Sequence, residues 1–596
     1  MPQRAGGART RPSRRPLTVF VLVIAVVGVF VFRLVDVQVV QAAGLTAEST
    51  ARRSVDTVVP GLRGTITDAS GTVLARSVAR FQIVASPKLA AAEARTAPRA
   101  DAEKSSVAAR AARLAAATGL SVPALTTALT RDPSSQYLMV VPAASLTVLN
   151  RVKALHIDWL FYTQVQQRSY PNGAVAGNLV GFVGADGSAQ SGTEYGENAC
   201  LKGTDGRTST EQGQDGTPIP GTAVTTKPAK QGGSVTLTID RDLQWFAQQT
   251  LATRAKQVGA ASGSVVVSEV ATGKLLAVAD WPTVDPGNVP ATANTDPEAL
   301  GSRAFQAPFE PGSTMKSVTT AALLNAGLIT PTTQVVAPFR YTNARGADVH
   351  DSEAHGDLHL TATGVLIQSS NTGISQLGLR MSDATRYGYL QRFGFGRSTG
   401  TGYPAEASGG LGADAPHWDG QSEVATMFGQ GLTATAVQMA SAYSTIANGG
   451  VKLPVSLIER CTAADGTVTT PARAAPKRIV SAKAAHQTVR MLENVATKGW
   501  LAAKVTIPGY RVGIKTGTAQ ESDGHGGYAS GFLVSMAGIA PAESPKYVVY
   551  VDLNDARKLN TAQAAAPVFQ KVMARVLQQH GVVPSGTHSP DLPEYW

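Results

Sequence analysis

Phe309-Glu310-Pro311-Gly312-Ser313-Thr314-Met315-Lys316, followed by a helical run to Ala326 and a stop at Gly327, decides how this chain is read. Pro311-Gly312 sets a turn, so the spacing predicts Ser313 in the first turn of a helix. Residues three apart share one helix face, which brings the Lys316 amine to the Ser313 hydroxyl. A serine is a poor nucleophile until a neighbouring base takes its proton, and a partly desolvated lysine can be that base. The helix N-terminus also offers free N–H groups to any oxyanion formed there. Taken alone, Ser-x-x-Lys is weak, because a capping serine beside a surface lysine has the same spacing.

It has company. Ser369-Ser370-Asn371 follows 56 residues later, and Lys515-Thr516-Gly517-Thr518 lies 146 beyond that, at the end of an apolar strand. Order, spacing and local context agree with the three-motif set of penicillin-binding proteins and class A β-lactamases. Further stretches extend the likeness. Arg63–Ala75 reads as strand, Asp/Gly turn, strand. Gln167-Arg168-Ser169-Tyr170-Pro171, Gly192-Thr193-Glu194 and Phe428-Gly429-Gln430-Gly431-Leu432 lie before and after the serine. From about Arg63 to Gln579 the chain resembles a class B penicillin-binding protein, and the Phe-Glu-Pro-Gly-Ser context resembles the division branch of that family. The glycines of 428–432 lack a strand–GxxxxGK[ST]–helix frame, so tight helix packing rather than phosphate binding is expected of them.

The resemblance implies an α+β fold: one transmembrane helix, an elongated mixed α/β pedestal, and a serine β-lactamase-like domain with an antiparallel sheet, flanking helices and a helical subdomain. It implies peptidoglycan D,D-transpeptidation through a serine acyl-enzyme with release of D-Ala, in septal synthesis, with β-lactams as covalent inhibitors. Ser313 is then the nucleophile, Lys316 its base and Ser369 the proton relay to the leaving amine. Asn371 holds Lys316 and the donor amide. Lys515, Thr516, Gly517 and Thr518 bind the donor, with the N–H groups of Ser313 and Thr518 as oxyanion hole. No cofactor or metal is implied. The implied partners are stem peptides, a membrane-embedded glycan polymerase and other division proteins.

Working outward, the implied divisions are a basic tail (1–16), an anchor (17–40), a pedestal (41–233), a transpeptidase domain (234–580) and a polar tail (581–596). Residues 203–233 read as a loose seam rich in Gly, Thr and Pro. Ala90–Ala117 reads as one Ala-rich helical stretch. After the seam, Val235–Ile239 reads as a strand and Asp240 as the cap of a helix ending at Gly259. Ser264–Ser268 and Lys274–Ala279 form a hairpin. Tyr510–Ile514, Phe532–Ile539 and Tyr547–Asp552 read as strands and Pro567–Gln579 as a closing helix. Strands at both ends with helices between predict one sheet built from N- and C-terminal pieces.

The first forty residues suit a membrane. Leu17–Phe32 is sixteen residues without a charge, and the apolar run resumes to Val40 past Arg33 and Asp36. About 17–20 residues cross a bilayer, and flanking arginines snorkel. Arg4, Arg9, Arg11, Arg14 and Arg15 precede the run, which predicts a cytoplasmic N-terminus and an external bulk. A cleaved signal peptide ending near Gln41-Ala42-Ala43 is the competing reading, disfavoured because the apolar core is long. Those five arginines also account for much of the +11 net charge, leaving +6 on the other 580 residues. No basic cluster suits nucleic acid.

Weaker signals are read conservatively. His350, His355 and His359, with Asp351, Glu353 and Asp357, are expected in a solvated loop near the cleft rather than at a metal. Asp523, His525 and Tyr528 are expected in a turn shaping the cleft. Cys200 and Cys461, the only cysteines, are expected in different domains and unpaired. Residues 41–235 hold no Glu-Asp pair, against a bifunctional class A enzyme, and no deacylating ExxLN motif occurs, against a class A β-lactamase. An elongation-type relative, a D,D-carboxypeptidase and a non-catalytic division scaffold are the remaining alternatives.

Overall fold

The structure, a computed structural model, describes residues 15–596 except 97, 99–102, 104, 214–218, 413–414 and 523–527. The arginines before Arg15, and Asp523 and His525, therefore lie outside the described residues. Two compact units result, Met1–Gly61 with Thr204–Lys230, and Leu62–Gly203 with Gln231–Trp596.

In the first unit, one continuous helix, Arg15–Val40, is long and apolar enough to cross a membrane, and none of it is buried. Its one interior pair of charges self-neutralises, with Arg33 Nη1 2.5 Å from Asp36 Oδ2. The seam is not structureless. Ser54–Val59 pairs antiparallel with Gly206–Glu211, which pairs in turn with Val224–Lys227. Val224–Lys227 is exposed at every position. A strand that buries neither face shows no apolar alternation, which is why this sheet escapes a pattern-based reading.

The second unit holds the two larger sheets. The five-stranded one runs in the order Leu275–Trp281, Ser262–Glu269, Tyr547–Asn554, Tyr528–Ala540, Gly513–Ser522, every neighbour antiparallel. It joins N- and C-terminal pieces as the sequence predicts. Val265–Val267 and Val548–Val551 are fully buried on both faces, because helices Arg241–Val258 and Ala566–Gln579 cover one side and Ala436–Ala447 packs on the sheet as well. Asp240 caps Arg241–Val258 by accepting the N–H groups of Asp242 and Leu243, and Gly259 ends it in the left-handed conformation (φ 67°).

The other sheet runs from Leu138–Ala144 and Leu160–Ser169 through Val73–Ala85 and Ile66–Thr67 to Ser234–Leu237 and Ile458–Thr462. That last strand corrects the reading of the cysteines. Cys461 pairs with Val235, Gly233 N donates to the Cys200 carbonyl at 2.8 Å, and Cys200 and Cys461 form a disulfide with Cα atoms 6.3 Å apart. They lie 261 residues apart in sequence, yet a strand from the second half of the chain joins the sheet begun in the first and brings Cys461 beside the short helix Asn198–Leu201 that carries Cys200.

The expected Ala-rich helix is two, Pro87–Thr96 and Val107–Thr118. Ser106 caps the second by accepting Ala109 N–H, so a new helix starts where alanine content alone suggests continuity. Three sequence motifs also converge. Glu194, fully buried, accepts Arg63 Nε at 2.5 Å and Arg168 Nε at 2.6 Å, and Arg168 Nη1 donates to the Gly64 carbonyl at 2.5 Å. Residues 581–596, read as a tail, pack along the same unit. Ser585 N donates to Gly509 O and Leu592 N to Asn494 Oδ1.

Candidate active site

Gly312 takes φ +57°, and a Cβ there would stand 2.8 Å from the Thr518 carbonyl, so only glycine lets the turn close against the Lys515–Thr518 strand. The turn continues as a short 3₁₀ segment, Gly312–Met315, and then as the helix Lys316–Asn325. Ser313 is thus at a helix start, as the spacing predicts, though in a tighter turn. Gly429 explains the glycine-rich segment differently from helix packing. Its carbonyl accepts Gly312 N–H at 2.9 Å, and a Cβ on it would meet Gly312 O at 2.2 Å. Those glycines admit one backbone against another. Glu310 joins the same seam by accepting Gly431 N–H at 2.9 Å.

Lys316 is completely buried. Its Nζ donates to Ser313 Oγ at 3.0 Å, to Asn371 Oδ1 at 2.7 Å and to the Ser369 carbonyl, and lies 3.4 Å from Ser369 Oγ. Burial pulls its pKa down to about 7, against the opposing pull of the Asp351 charge. Lys515, also fully buried, donates from Nζ to Ser369 Oγ at 2.9 Å. Burial first, and the Lys316 charge second, push its pKa well down. Ser369 Oγ therefore sits between two lysines. Its backbone is in the left-handed region at φ +58°, a conformation that costs a non-glycine residue about 1–2 kcal/mol. Such strain persists only where surroundings over-determine it.

Those surroundings include one residue of the histidine-rich stretch, which is otherwise exposed as expected of it, with His350, Glu353, Asp357 and His359 all at the surface. Asp351 is only 6% exposed, and its carboxylate accepts the N–H groups of Asn371 at 2.5 Å and Thr372 at 3.1 Å and the Ser370 hydroxyl at 2.7 Å. His355 Nε2 lies 3.1 Å from Asp351 Oδ2, and Asn371 Nδ2 donates to the His350 carbonyl at 3.0 Å. Sequence reasoning names Asp351 only as part of that loop and passes over its contacts with the Ser370–Thr372 segment. No local spacing betrays a carboxylate that caps a helix twenty residues downstream.

Gly517 has the same logic as Gly312, since a Cβ on it would meet Ser535 Oγ at 2.2 Å and Pro311 O at 3.0 Å. Thr516 is half-buried and Thr518 exposed on the strand that also carries Lys515. Tyr528 begins the neighbouring strand. Ser313, Lys316, Ser369, Asn371 and Lys515 thus form one hydrogen-bonded cluster, with Thr516–Thr518 along its edge. Chemically it offers a serine hydroxyl beside a lysine of lowered basicity, and a second hydroxyl through which a proton can move.

Known proteins carry the same plan. Residues 263–574 match the penicillin binding protein transpeptidase domain, and residues 58–237 the penicillin-binding protein dimerisation domain. The chain is 32% identical to penicillin-binding protein PbpB of Mycolicibacterium smegmatis, over 96% of this chain and 90% of that one. It is 30% identical to peptidoglycan D,D-transpeptidase FtsI of Escherichia coli, over 94% and 91%. Among solved structures, a peptidoglycan synthetase from Bifidobacterium adolescentis aligns at 30% identity with a TM-score of 0.71, covering 91% of this chain and all of that one. Penicillin binding protein 3 of Mycobacterium tuberculosis, complexed with ampicillin, aligns at 28% with a TM-score of 0.69, covering 89% and 98%.

Proposed function

The chain belongs to the class B penicillin-binding proteins, among them to the serine peptidoglycan D,D-transpeptidases of cell division, and from that premise we propose how its own residues divide the work. Ser313 Oγ attacks the penultimate D-Ala carbonyl of a stem peptide while neutral Lys316 takes its proton. The resulting oxyanion is held by the N–H groups of Ser313 and Thr518, donors of a kind worth roughly 10²–10³ in rate. Ser369 hands the proton to the leaving amine, the C–N bond breaks, and D-Ala departs. The amine of a second stem peptide then attacks the acyl-enzyme, forming the cross-link and freeing Ser313. Asn371 fixes Lys316 and the donor amide. Lys515, Thr516 and Thr518 receive the terminal carboxylate, whose charge favours the protonated form of Lys515. Gly517 lets their strand approach the nucleophile.

The observation that carries this reading is the 3.0 Å contact between Lys316 Nζ and Ser313 Oγ, made by a lysine that burial has brought near neutrality. β-Lactams should acylate the same serine. Mass spectrometry of the penicillin-treated protein is expected to place the adduct on the peptide containing Ser313. Labelling of another serine, or undiminished labelling of Ser313→Ala, would refute the assignment.

The wider placement is part of the proposal. The helix Arg15–Val40 anchors the chain with residues 1–16 in the cytoplasm and the remainder outside. Residues 41–233 act as a pedestal, 234–580 as the catalytic domain and 581–596 as an appended segment. The dimerisation-domain match over 58–237 and the transpeptidase match over 263–574 support that division. A membrane-embedded glycan polymerase and other division proteins are the proposed partners, since an anchored transpeptidase needs nascent strands delivered near the bilayer. Protease added outside spheroplasts is expected to digest everything beyond about residue 45.

A further inference from the structure

Pro593–Trp596 lies alongside the strand Leu358–Thr361 as an antiparallel neighbour. Leu360 and Tyr595 form a β-bridge, Thr361 N donates to Glu594 O at 2.9 Å, and Trp596 N donates to His359 O at 3.1 Å. Thr361 is the N-cap of the helix Ala362–Gln368, accepting Gly364 N–H, while its own hydroxyl donates to Pro593 O at 2.6 Å. At the other end of that helix, Gln368 Nε2 donates to Glu594 Oε1 at 2.5 Å and to Tyr595 Oη at 3.1 Å. Lys498 Nζ, donating to Leu592 O at 2.7 Å, ties down the approach. The fit is built into the sequence on both sides. A Cβ on Gly364 would stand 2.1 Å from Glu594 O, so only glycine there admits the segment.

We propose that Pro593–Trp596 is a positioning element for Ser369, acting through the helix Ala362–Gln368. Ser369 is the C-cap of that helix, and one short segment grips both of its ends. A helix of seven residues is far too short to hold itself in water, so its placement depends on what it packs against. The bonds to exposed Gln368 are weak singly. The helix buries Val365, Leu366 and Ile367 in the core and packs on the helix Ala482–Lys498, and the backbone pairing at Thr361 with the close approach at Gly364 adds the restraint that fixes its ends. A hydroxyl poised between Lys316 and Lys515 is sensitive to such placement, since a shift of about 1 Å in a reacting group can cost ~10²-fold in rate. Pro593–Trp596 touches none of the reacting groups and is not itself catalytic.

This inference rests on the reading of Ser369 as proton relay, and the test separates the two. Full-length protein in detergent is titrated with a fluorescent penicillin, giving the limiting acylation rate and the dissociation constant of the non-covalent complex. Deletion of residues 593–596, and separately Gly364→Ala, are expected to lower the limiting rate at least tenfold while changing that dissociation constant less than threefold. Alanine is the better helix former, so a loss in Gly364→Ala reports the displaced segment rather than a weakened helix. A synthetic peptide of residues 585–596 is expected to restore the deletion variant but not Gly364→Ala. Wild-type rates in a folded Gly364→Ala protein overturn the proposal, even if the deletion variant does not fold. So does a rate loss that follows the unfolded fraction and that the peptide does not repair. The adduct site in unaltered protein, and the rate of Ser369→Ala, report independently on the underlying reading.

Discussion

The carboxylate of Asp351 accepts the backbone N–H of Asn371 at 2.5 Å and so fixes the start of the helix Asn371–Gly378 from outside it. The same carboxylate raises the pKa of Lys316, which burial lowers. One residue therefore both helps place Asn371 and opposes the effect of burial on the proton affinity of Lys316.

Asp351→Asn separates those two effects. Losing the negative charge leaves burial less opposed, so the acidic limb of the acylation profile is expected to move to lower pH. Losing a proper acceptor for Ser370 and the two N–H groups loosens the Ser-x-Asn segment, so the plateau is expected to fall by roughly tenfold. Rates of penicillin acylation between pH 5 and 9 measure both. A lower plateau with an unmoved limb would leave Asp351 a purely structural cap.

The unaltered enzyme should show the limb itself. Lys316 serves as base only when neutral, and its pKa is brought down to about 7. Acylation is therefore expected to rise about tenfold per pH unit below ~6 and to level off above ~8. Lys316→Arg, which cannot deprotonate in this range, is expected to lose acylation altogether. An inflection near the ordinary lysine value would mean that the amine is not desolvated in solution.

Legibility followed the range of the interactions. Ser313 with Lys316, and the Lys515–Thr518 strand, are local patterns read from a turn, an i,i+3 spacing and an apolar strand, although that strand is Gly513–Ser522 rather than Tyr510–Ile514 and carries the motif in its interior. The hairpin 262–281 and the helix 241–258 are legible for the same reason, since cap, period and stop lie within the segment. Asp351, the 200–461 disulfide and the docking of Pro593–Trp596 each join residues through tertiary pairing that no local period encodes. The strands 206–211 and 224–227 were hidden differently. Their Thr-rich sequences, half-buried in 208–211 or exposed in 224–227, alternate no apolar with polar residues for a period-2 rule to detect.

Glu194 shows a middle case, where three motifs are each legible but their convergence on one buried carboxylate is not. Its fully buried carboxylate is held by Arg63 and Arg168, both under 7% exposed. Glu194→Gln would leave two guanidinium groups buried against one neutral amide, and breaking such a buried pair typically costs about 3–5 kcal/mol. Denaturant unfolding of the solubilised protein is expected to show a loss of that order. Arg168→Met with Glu194→Gln should be less severe than the sum of the single changes, because the first removes a charge that the second strands. Strict additivity would argue against a coupled triad.

The disulfide closes a loop of 261 residues, so its main effect falls on the unfolded chain. Gly233 sits between its two arms, donating to the Cys200 carbonyl, while a Cβ on Gly233 would meet Thr462 O at 2.6 Å. Backbone contacts independent of the sulfur atoms therefore also tie the two arms, Cys461 pairing with Val235 and Cys200 O accepting Gly233 N–H. Native protein treated with a thiol-alkylating reagent should accordingly gain no mass at either cysteine until it is reduced. The Cys200→Ala, Cys461→Ala double variant is expected to fold, since the sheet pairing remains, but to lose about 2–5 kcal/mol of stability. Reduced native protein should lose a similar amount, and Ser313 should still be acylated in both at 25 °C. Two alkylatable thiols in protein purified from an oxidising compartment would show the bond to be absent. An unaltered unfolding midpoint in the double variant would instead mean that the unfolded chain is not the state it constrains.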